Sequence, residues 1–430
     1  MASELTQHIE ATPLVDTHEH MKRESEWLEN GPDILQDLFG NYVSADLRTA
    51  GATPEAMERL MDGSDLDIAS RFCGIEAAWR ATQFTGYGEA VSLIAEHVYG
   101  LEELTGDGLA GAQGRIGELR KPGERYRLLH DVANLDQVQT DDARWQCPPD
   151  QSGLDFFLYD LSWQTFCSGD IDPRLIYEET GIEVTGLASL RQAMDMIFEK
   201  HAPCAIAVKA QHAYRRTLEW TERSDADAEA ALEKVLRRPQ TEIGVSTDNC
   251  LGDWCWARGV ELSIEYNLPF KIHTGYYAGN DRMPVHRIPA GNMCKLFSRY
   301  LGAKFVLMHI AYPYCDELAA LAKHYRNIWV DLCWAWSIDP CSARDFVRSF
   351  IHTVPINKLF AFGGDTSWPT SAMAYAMQAR RGIRSALEAE VSDGDLTEQQ
   401  AIGIATSIMH DNQYACFDIE GTRANIHAAA

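Results

Sequence analysis

The sequence predicts an α/β protein folded as a parallel (β/α)8 barrel. From residue 126 onward, short runs of apolar, β-branched or aromatic residues alternate with segments of helical spacing, as in successive βα units. One more strand-like run lies near the N-terminus, which brings the number of predicted strands to eight. The predicted strands are residues 13–17, 127–132, 155–159, 204–209, 269–274, 304–310, 327–333 and 359–363.

Helical spacing fills most of the remaining chain. Residues 22–125 do not have the pattern of strands, so we expect a long helical insertion after the first strand that forms a cap or a subunit interface. Residues 371–417 are predicted to be a helical tail that closes the barrel. We expect residues 1–430 to form a single domain that includes this insertion. The principal predicted helices are 33–39, 54–61, 89–99, 187–200, 226–237, 253–266, 291–301, 315–325 and 341–353.

Composition narrows the classes of partner. The chain has 430 residues, 46% of them hydrophobic, and a formal net charge of −25. This charge argues against nucleic acid or an anionic membrane as a partner, because both require basic patches.

The 11 cysteines form no CxxC pair, which favours reduced thiols in the cytoplasm. With no apolar run near 18 residues and no pattern of a signal peptide, we expect a soluble, cytoplasmic protein.

Two histidines end the first predicted strand. Residues 13–21 read Pro-Leu-Val-Asp-Thr-His-Glu-His-Met. Side chains two apart on a strand face the same side, so His18 and His20 point the same way, about 7 Å apart along the strand. Two imidazoles in this arrangement can bind one divalent metal ion. An isolated His-x-His is equally typical of a solvated strand end, so other residues must decide between the two interpretations.

Polar side chains also end four later strands. They are Lys209 on the fourth strand, His273 on the fifth, His309 on the sixth and Asp365 after the eighth. Each alone is more often structural, but the carboxyl ends of all barrel strands open at one face, where catalytic residues lie. Together with the two histidines they would be an unusual concentration of buried polar groups without a metal ion. We therefore predict a metal site.

The order His-x-His, Lys, His, His, Asp resembles the amidohydrolase superfamily of metal-dependent (β/α)8 barrels, over residues 13 to about 417. The first-strand motif is similar to that of phosphotriesterase-like members. The segment 273–283, His-Thr-Gly-Tyr-Tyr-Ala-Gly-Asn-Asp-Arg-Met, resembles the uronate isomerase and amidohydrolase-related branch, as do the long insertion and the Gly-Gly-Asp-Thr-Ser-Trp element around Asp365. Glu19 and His309 depart from the uronate isomerase pattern.

The resemblance implies a ligand set and its chemistry. His18, His20, His273 and Asp365 would bind a divalent metal, zinc or alternatively manganese, with one or two ions bound. His309 would be a ligand of a second ion or a substrate contact, and Asp365 would move a proton. Lys209 would be a carboxylated bridge between two ions or a contact to an anionic group of the substrate.

Side chains that follow the strands are candidates for binding a small-molecule substrate. Arginine and histidine among aromatic residues favour a small organic anion, since guanidinium groups bind carboxylates in bidentate fashion. Aromatic residues at loop bases also pack barrel rims, so each assignment has a structural alternative. The candidates are Arg282, His212, Arg215, Tyr276, Tyr312, Trp334 and Trp368.

The leading hypothesis is a metal-dependent hydrolase that cleaves a C–N or C–O bond, such as an amide or a lactone. The alternatives are isomerisation of a uronate, non-oxidative decarboxylation of an aromatic acid, and a barrel that binds a ligand without catalysis. Barrels of one superfamily support many reactions, so the resemblance leaves these open. By analogy we expect a homo-oligomer.

Overall fold

Eight strands form one parallel sheet whose order follows the chain. The computed structural model describes residues 3–430, and each strand pairs in parallel with the next, from β1 to β8. This confirms the predicted (β/α)8 barrel. The strands are β1 (Leu14–Glu19), β2 (Leu135–Thr140), β3 (Phe157–Ser162), β4 (Ala205–Ala210), β5 (Phe270–Ile272), β6 (Phe305–Leu307), β7 (Ile328–Asp331) and β8 (Leu359–Phe360).

Backbone hydrogen bonds join the first strand to the segment that follows the last one. The Thr17 amide donates to the Phe362 carbonyl (3.1 Å), and the Asp365 amide donates to the His18 carbonyl (2.9 Å). A third bond runs from the His20 amide to the Thr366 carbonyl (3.0 Å). These bonds bring the polar end of β1 next to Asp365, although 345 to 347 residues separate the bonded partners.

Helices occupy the intervals between the strands, except the interval between β2 and β3, and follow the last strand. Many begin at a capping side chain; Asp339, for example, accepts from the amides of Cys341 and Ser342 and precedes Pro340. The helix before β1 is α1 (Glu4–Ala11), and those between β1 and β2 are α2 (Glu24–Asn30), α3 (Ile34–Phe39), α4 (Val43–Thr49), α5 (Pro54–Met61), α6 (Ile68–Cys73), α7 (Glu76–Thr82), α8 (Gly86–Ile94), α9 (Gly106–Ala112), α10 (Ile116–Leu119) and α11 (Glu124–Arg127). Those after β3 are α12 (Gln164–Ser168), α13 (Pro173–Thr180), α14 (Leu187–His201), α15 (Asp225–Leu236), α16 (Asn249–Glu265), α17 (Cys294–Arg299), α18 (Cys315–His324), α19 (Ala335–Ile338), α20 (Pro340–Thr353), α21 (Pro369–Asp393), α22 (Glu398–Thr406), α23 (Asn412–Cys416) and α24 (Ile419–Ala429). None of the described helices is long and apolar enough to cross a membrane.

The prediction of the second strand was wrong. Residues 127–132 continue α11 as a π-helical turn, Leu128–Val132, and the strand begins at Leu135. The true strand was overlooked because Gln137 and Gln139 interrupt its apolar pattern. Both glutamines are fully buried, on the face of β2 opposite to Val138. The third strand also lies about three residues later than predicted.

The barrel interior has an apolar end and a polar end. Its apolar cluster includes Val15, Leu158 and Ile206, from three different strands, packed with Phe417 and Ile419 from the end of the chain. Further along β1, β3 and β5, charged and polar side chains replace them: Lys271 donates to both oxygens of Asp160 (2.8 and 2.9 Å) and to the Thr17 carbonyl (2.7 Å). All three residues are fully buried, so this polar layer is closed to bulk water.

The helices between β1 and β2 pack against the segment after β8. Asp37 of α3 is fully buried and accepts hydrogen bonds from Thr370 of α21 (2.6 Å) and from Tyr99 (2.7 Å). The Tyr42 hydroxyl donates to the backbone carbonyl of Asp365. These contacts place the helical segment over the polar end of the barrel.

We expect Asp37→Asn to change how stability depends on pH. Burial raises the pKa of Asp37 to about 6, against about 4 in an unfolded chain. Between these values the folded protein binds more protons than the unfolded chain, so the free energy of unfolding falls as pH rises. The asparagine variant lacks this decrease in the free energy of unfolding, which is at most about 3 kcal/mol.

Denaturant unfolding of the metal-free protein at about pH 4 and pH 7 measures the effect. The hydroxyl groups of Thr370 and Tyr99 donate to different oxygens of Asp37 and asparagine has only one acceptor oxygen, so the substitution lowers stability at both pH values. The difference in stability between variant and wild type should therefore shift in favour of the variant at the higher pH. Parallel pH profiles for the two proteins would contradict the assignment.

Candidate metal centre

Two histidines at the end of β1 lie beside the carboxylate of Asp365. The Nε2 atoms of His18 and His20 each lie 3.3 Å from the same carboxylate oxygen, Oδ1. The register of β1 against β2 shifts between Asp16 and Glu19, just where this pair begins. His18 is fully buried, whereas 26% of the His20 side chain is exposed. The first-strand motif therefore faces the carboxylate that follows the last strand.

The other oxygen of Asp365 faces a second pair of histidines. His309 Nε2 lies 3.7 Å from Asp365 Oδ2 and 2.9 Å from His273 Nδ1. His273 follows β5 and His309 follows β6. Asp365 thus belongs to two groups of potential ligands, and in each group the ligand atoms lie within 4.8 Å of one another.

The outward-facing nitrogen of each histidine meets an acceptor. In three of the four rings it lies at hydrogen-bond distance from a backbone carbonyl, and the ring nitrogen must carry the proton to donate there. The inward nitrogen of a neutral ring is then an unprotonated lone pair, as a metal ligand requires. The pairs are His20 Nδ1 with Asp141 O (2.8 Å), His273 Nε2 with Tyr276 O (2.9 Å), His309 Nδ1 with Cys333 O (2.9 Å) and His18 Nδ1 with an Asp160 carboxylate oxygen (3.6 Å).

This hydrogen bonding fits a bound cation. The inward nitrogens of His273 and His309 face each other at 2.9 Å, and in this tautomer neither carries a proton. Two lone pairs at this distance repel each other, and a cation bound by both removes the repulsion. Four imidazoles and one carboxylate are donors that suit a divalent transition-metal ion such as zinc.

The electrostatics of the centre keep three of the four histidines neutral and the aspartate ionised. Burial lowers the pKa of His18, His273 and His309, the last to about 4. Burial opposes ionisation of Asp365 as well, but the contacts of its carboxylate with the rings of His18 and His20 outweigh it and hold the pKa of Asp365 well below its usual value. Near neutral pH the centre therefore presents the Asp365 carboxylate and, at His18, His273 and His309, uncharged imidazoles.

Backbone strain is concentrated around the same residues. His309, Trp334 and Asp365 adopt left-handed conformations, with φ of 61°, 61° and 56°. Such conformations are unfavourable for residues other than glycine and persist only where surrounding contacts enforce them. For Asp365 these contacts include its amide hydrogen bond to the His18 carbonyl. The strained backbone therefore indicates that the surrounding contacts hold these side chains in one arrangement.

Aromatic side chains form a wall beside the histidines. The Trp334 ring lies 5.4 Å from that of His309 and 5.9 Å from that of Tyr276, and Tyr276 lies 6.0 Å from Tyr312. Tyr42, from the segment between β1 and β2, packs 4.3 Å from Trp334. These rings give the site an apolar side.

A match to a family of known proteins agrees with this geometry. The family model described as Amidohydrolase matches residues 188–404, just over half of the chain. The chain belongs to the amidohydrolase family. Members of this family use divalent metal ions, and the two groups of histidines around Asp365 are candidate sites for them.

Solved structures share the fold of this amidohydrolase at low sequence identity. Uronate isomerase from Thermotoga maritima has a TM-score of 0.79 at 15% identity, with 96% of each chain covered. Glucuronate isomerase from Caulobacter crescentus has a TM-score of 0.73 at 16% identity, covering 97% of this chain and 93% of its own. A protein from Lactobacillus casei, provisionally named a metal-dependent hydrolase, has a TM-score of 0.67 at 16% identity, covering 98% and 99%. At these identities the likeness concerns the fold.

A curated relative covers part of the chain. Protein fluG of Emericella nidulans is 25% identical over 230 residues, which is 50% of this chain and 26% of fluG. The amidohydrolase thus spans about a quarter of the length of this relative.

The hydrogen bonds, ion pairs and ring contacts of four predicted substrate residues are with residues other than the four histidines and Asp365. Arg282 is exposed and donates to the Ala278 carbonyl of its own loop (3.1 Å). Arg215 pairs with Asp170 (2.7 Å). His212 and Trp368 pack on other aromatic rings, with ring centroids 4.3 Å from Trp256 and 5.6 Å from Trp27 respectively.

The structure adds residues to the site that sequence reasoning missed. Asp331 is fully buried and accepts from the Thr17 hydroxyl (2.7 Å), and burial raises its pKa to about 7. The polar end of the seventh strand, Trp-Val-Asp, could have revealed it. Asp160 could have been recognised in the same way, because it is an acidic residue within a strand of mostly apolar residues. No feature of the sequence around Tyr42 indicates that its ring packs beside Trp334.

We expect Asp365→Asn to lose most of its bound metal. Asp365 is the carboxylate shared by both histidine groups, and asparagine supplies a neutral and weaker ligand. Metal affinity should fall at least about tenfold, measured by chelator competition and elemental analysis. Asp395→Asn is the matched control, because Asp395 belongs to a more exposed group with His352 and Glu390. Equal metal content in both variants would exclude Asp365 as a ligand.

Metal affinity should also fall in acid. Burial lowers the pKa of His20, but the hydrogen bond to Asp365 outweighs it and raises that pKa above its usual value. Below this pKa a proton competes with the metal, so affinity drops about tenfold per pH unit. His309, with its pKa of about 4, stays neutral across this range.

Metal titrations between about pH 5 and pH 8 test this dependence. The His20→Gln variant should bind metal more weakly, with a flatter pH profile. An unchanged slope in that variant would assign the competing proton to another group.

Proposed function

We propose that this amidohydrolase is a metal-dependent hydrolase that cleaves a C–N or C–O bond, of amide or lactone type, in a small anionic organic molecule. The observation that supports this most strongly is the set of inward, unprotonated histidine nitrogens around an ionised Asp365. Such a set suits a cation and a proton acceptor side by side, which is what hydrolysis by water requires. We propose zinc as the metal and manganese as the alternative.

In this proposal His18, His20, His273 and Asp365 hold the metal. A bound divalent cation makes water acidic enough to supply hydroxide near neutral pH and polarises the group under attack. His309, whose Nε2 lies 3.7 Å from Asp365 Oδ2, is either a ligand of a second ion or a contact to the substrate.

Asp365 is the proposed general base. Its lowered pKa leaves the carboxylate ionised at neutral pH, so it can take the proton that the attacking water loses. The same carboxyl group can then deliver that proton to the leaving nitrogen or oxygen. The hydrogen bond from the Asp365 amide to the His18 carbonyl and the strained backbone of Asp365 keep the carboxylate in place for both transfers.

Lys209 is proposed to act within the centre. It is fully buried, and its Nζ lies 3.0 Å from His18 Nε2. An ammonium group at this position would oppose the binding of two cations. Addition of carbon dioxide to the amine, with loss of a proton, would turn it into a carbamate anion that can bridge them. We therefore expect carboxylated Lys209 if two ions are bound.

The substrate is proposed to lie against the aromatic wall. Tyr276, Tyr312 and Trp334 line the side of His273 and His309, and Trp334 is almost fully buried. Rings of this kind pack on apolar or sugar-like surfaces. The exposed part of His20 leaves the opposite side of the centre open to solvent.

The reaction can be identified with isotopically labelled water. Zinc-loaded protein is incubated in H2(18)O with N-acyl amino acids, small lactones, glucuronate, galacturonate and hydroxybenzoates, and the products are weighed by mass spectrometry. Hydrolysis places one labelled oxygen in the product. Isomerisation of a uronate leaves its mass unchanged apart from exchange, and decarboxylation releases carbon dioxide.

We expect turnover of an amide or a lactone with incorporation of label. Asp365→Asn should lower kcat by about a factor of 10² or more, as for loss of a general base, while Asp395→Asn should leave it unchanged. Turnover of a uronate alone, or release of carbon dioxide alone, would overturn the proposal in favour of the corresponding alternative.

A further inference from the structure

A cavity that none of the four histidines lines lies beside the metal centre. It has a volume of about 420 Å³, within the usual range for small-molecule sites, and lies among the segments that follow β2, β3 and β4. Ser162, the last residue of β3, lines it, so the cavity lies at the same end of the barrel as the histidines. None of the residues that line it takes part in the proposed hydrolysis.

The cavity adjoins the open side of the metal centre. A smaller cleft of about 240 Å³ is lined by His20, Asp141 and Ser367 and shares Ala143 and Arg144 with the larger cavity. A molecule whose reacting bond lies at the centre can therefore extend past Arg144 into the larger cavity.

Most charged side chains of the larger cavity are already paired. Arg215 pairs with the buried Asp170 (2.7 Å), and Glu179 pairs with His201 (2.8 Å). Arg144 is different: it is exposed, and its guanidinium has no ion pair within 4 Å and no hydrogen bond among residues 3–430. Its backbone carbonyl accepts from the Ser162 amide (2.9 Å), which holds the two residues side by side.

Ser162 provides a second unused polar group. Its side chain is 3% exposed, and its hydroxyl has no hydrogen-bond partner within the described chain. A buried hydroxyl without a partner is unfavourable, and a ligand that accepts from it removes this cost. Trp145, Leu175 and Ile243 add apolar surface to the same cavity.

We propose that this cavity binds a carboxylate on an apolar arm of the substrate, with Arg144 pairing with the carboxylate and Ser162 donating a hydrogen bond. Guanidinium binds carboxylates through two parallel hydrogen bonds, and the apolar residues accommodate the arm. That the arm belongs to the substrate rests on the proposed function, but binding of a carboxylate here does not. The cavity thus selects substrates that carry an acid at a distance from the reacting bond.

The test uses metal-free protein, so that the probe cannot bind a metal ion. Calorimetric titration compares 4-phenylbutyrate, its neutral amide 4-phenylbutyramide, and the cation 4-phenylbutylamine. We expect the carboxylate to bind at least about tenfold more tightly than the amide. The amine should bind most weakly, although Asp172 and Glu178 also line the cavity.

Variants locate the binding. Arg144→Gln should weaken binding of 4-phenylbutyrate about tenfold, Arg144→Lys less, and Ser162→Ala severalfold, with amide binding nearly unchanged in the arginine variants. Arg237→Gln is the charge-matched control, because Arg237 is 79% exposed and pairs with Glu233, and it should leave the affinity unchanged. Tighter binding of the amine, equal binding of acid and amide, or no effect of Arg144→Gln would overturn the proposal.

The two proposals can fail separately. If no hydrolysis is found but binding depends on Arg144, the proposal of a carboxylate site in the cavity is retained and the proposal of hydrolysis is rejected. If an amide or lactone is hydrolysed but Arg144→Gln binds 4-phenylbutyrate as wild type does, the reaction stands and the cavity is not an acid site.

Discussion

The metal centre depends on the hydrogen bonds that three of its four histidines make on their outer side. Carbonyls of Asp141, Tyr276 and Cys333, each in a different loop or strand end, fix which nitrogen carries the proton. The inner nitrogens are thereby left as lone pairs pointing at Asp365 and at one another. This arrangement is repulsive on its own and favourable around a cation, so the loops that supply the carbonyls determine the chemistry as much as the ligands do.

A polar layer inside the barrel supports this arrangement. Lys271 bonds both oxygens of Asp160 and the Thr17 carbonyl, and the Asp160 carboxylate lies 3.6 Å from His18 Nδ1. Burying such an ion pair is costly unless its hydrogen bonds are satisfied. Here it occupies the interval between the apolar end of the barrel and the histidines, where it orients His18. The stability of the barrel interior and the orientation of a proposed ligand therefore depend on the same contacts.

The helical segment between β1 and β2 and the loops after β2 to β4 give the centre two different sides. Tyr42 and Trp334 make one side aromatic and largely buried. The other side leads past His20 and Arg144 into a cavity where, within the described part of the chain, the Arg144 guanidinium has no ion pair within 4 Å and the Ser162 hydroxyl has no hydrogen-bond partner. A substrate that spans both sides would have its reacting bond held between an apolar surface and an acid-binding surface, which would restrict the orientations in which it can bind.

The sequence by itself determined the barrel, because alternating periodicities need no long-range information, and it identified the residues at the strand ends, since parallel strands in a barrel expose their carboxyl ends together. It failed at β2, where Gln137 and Gln139 face a polar interior that no local pattern reveals. Tertiary structure alone decided that Tyr42 joins the site, that Asp160 faces His18, that His212 packs on Trp256, and that within residues 3–430 the Arg144 guanidinium has no ion pair within 4 Å. Each of these depends on which segments meet in space, and residues far apart in the chain carry no local signal of that meeting.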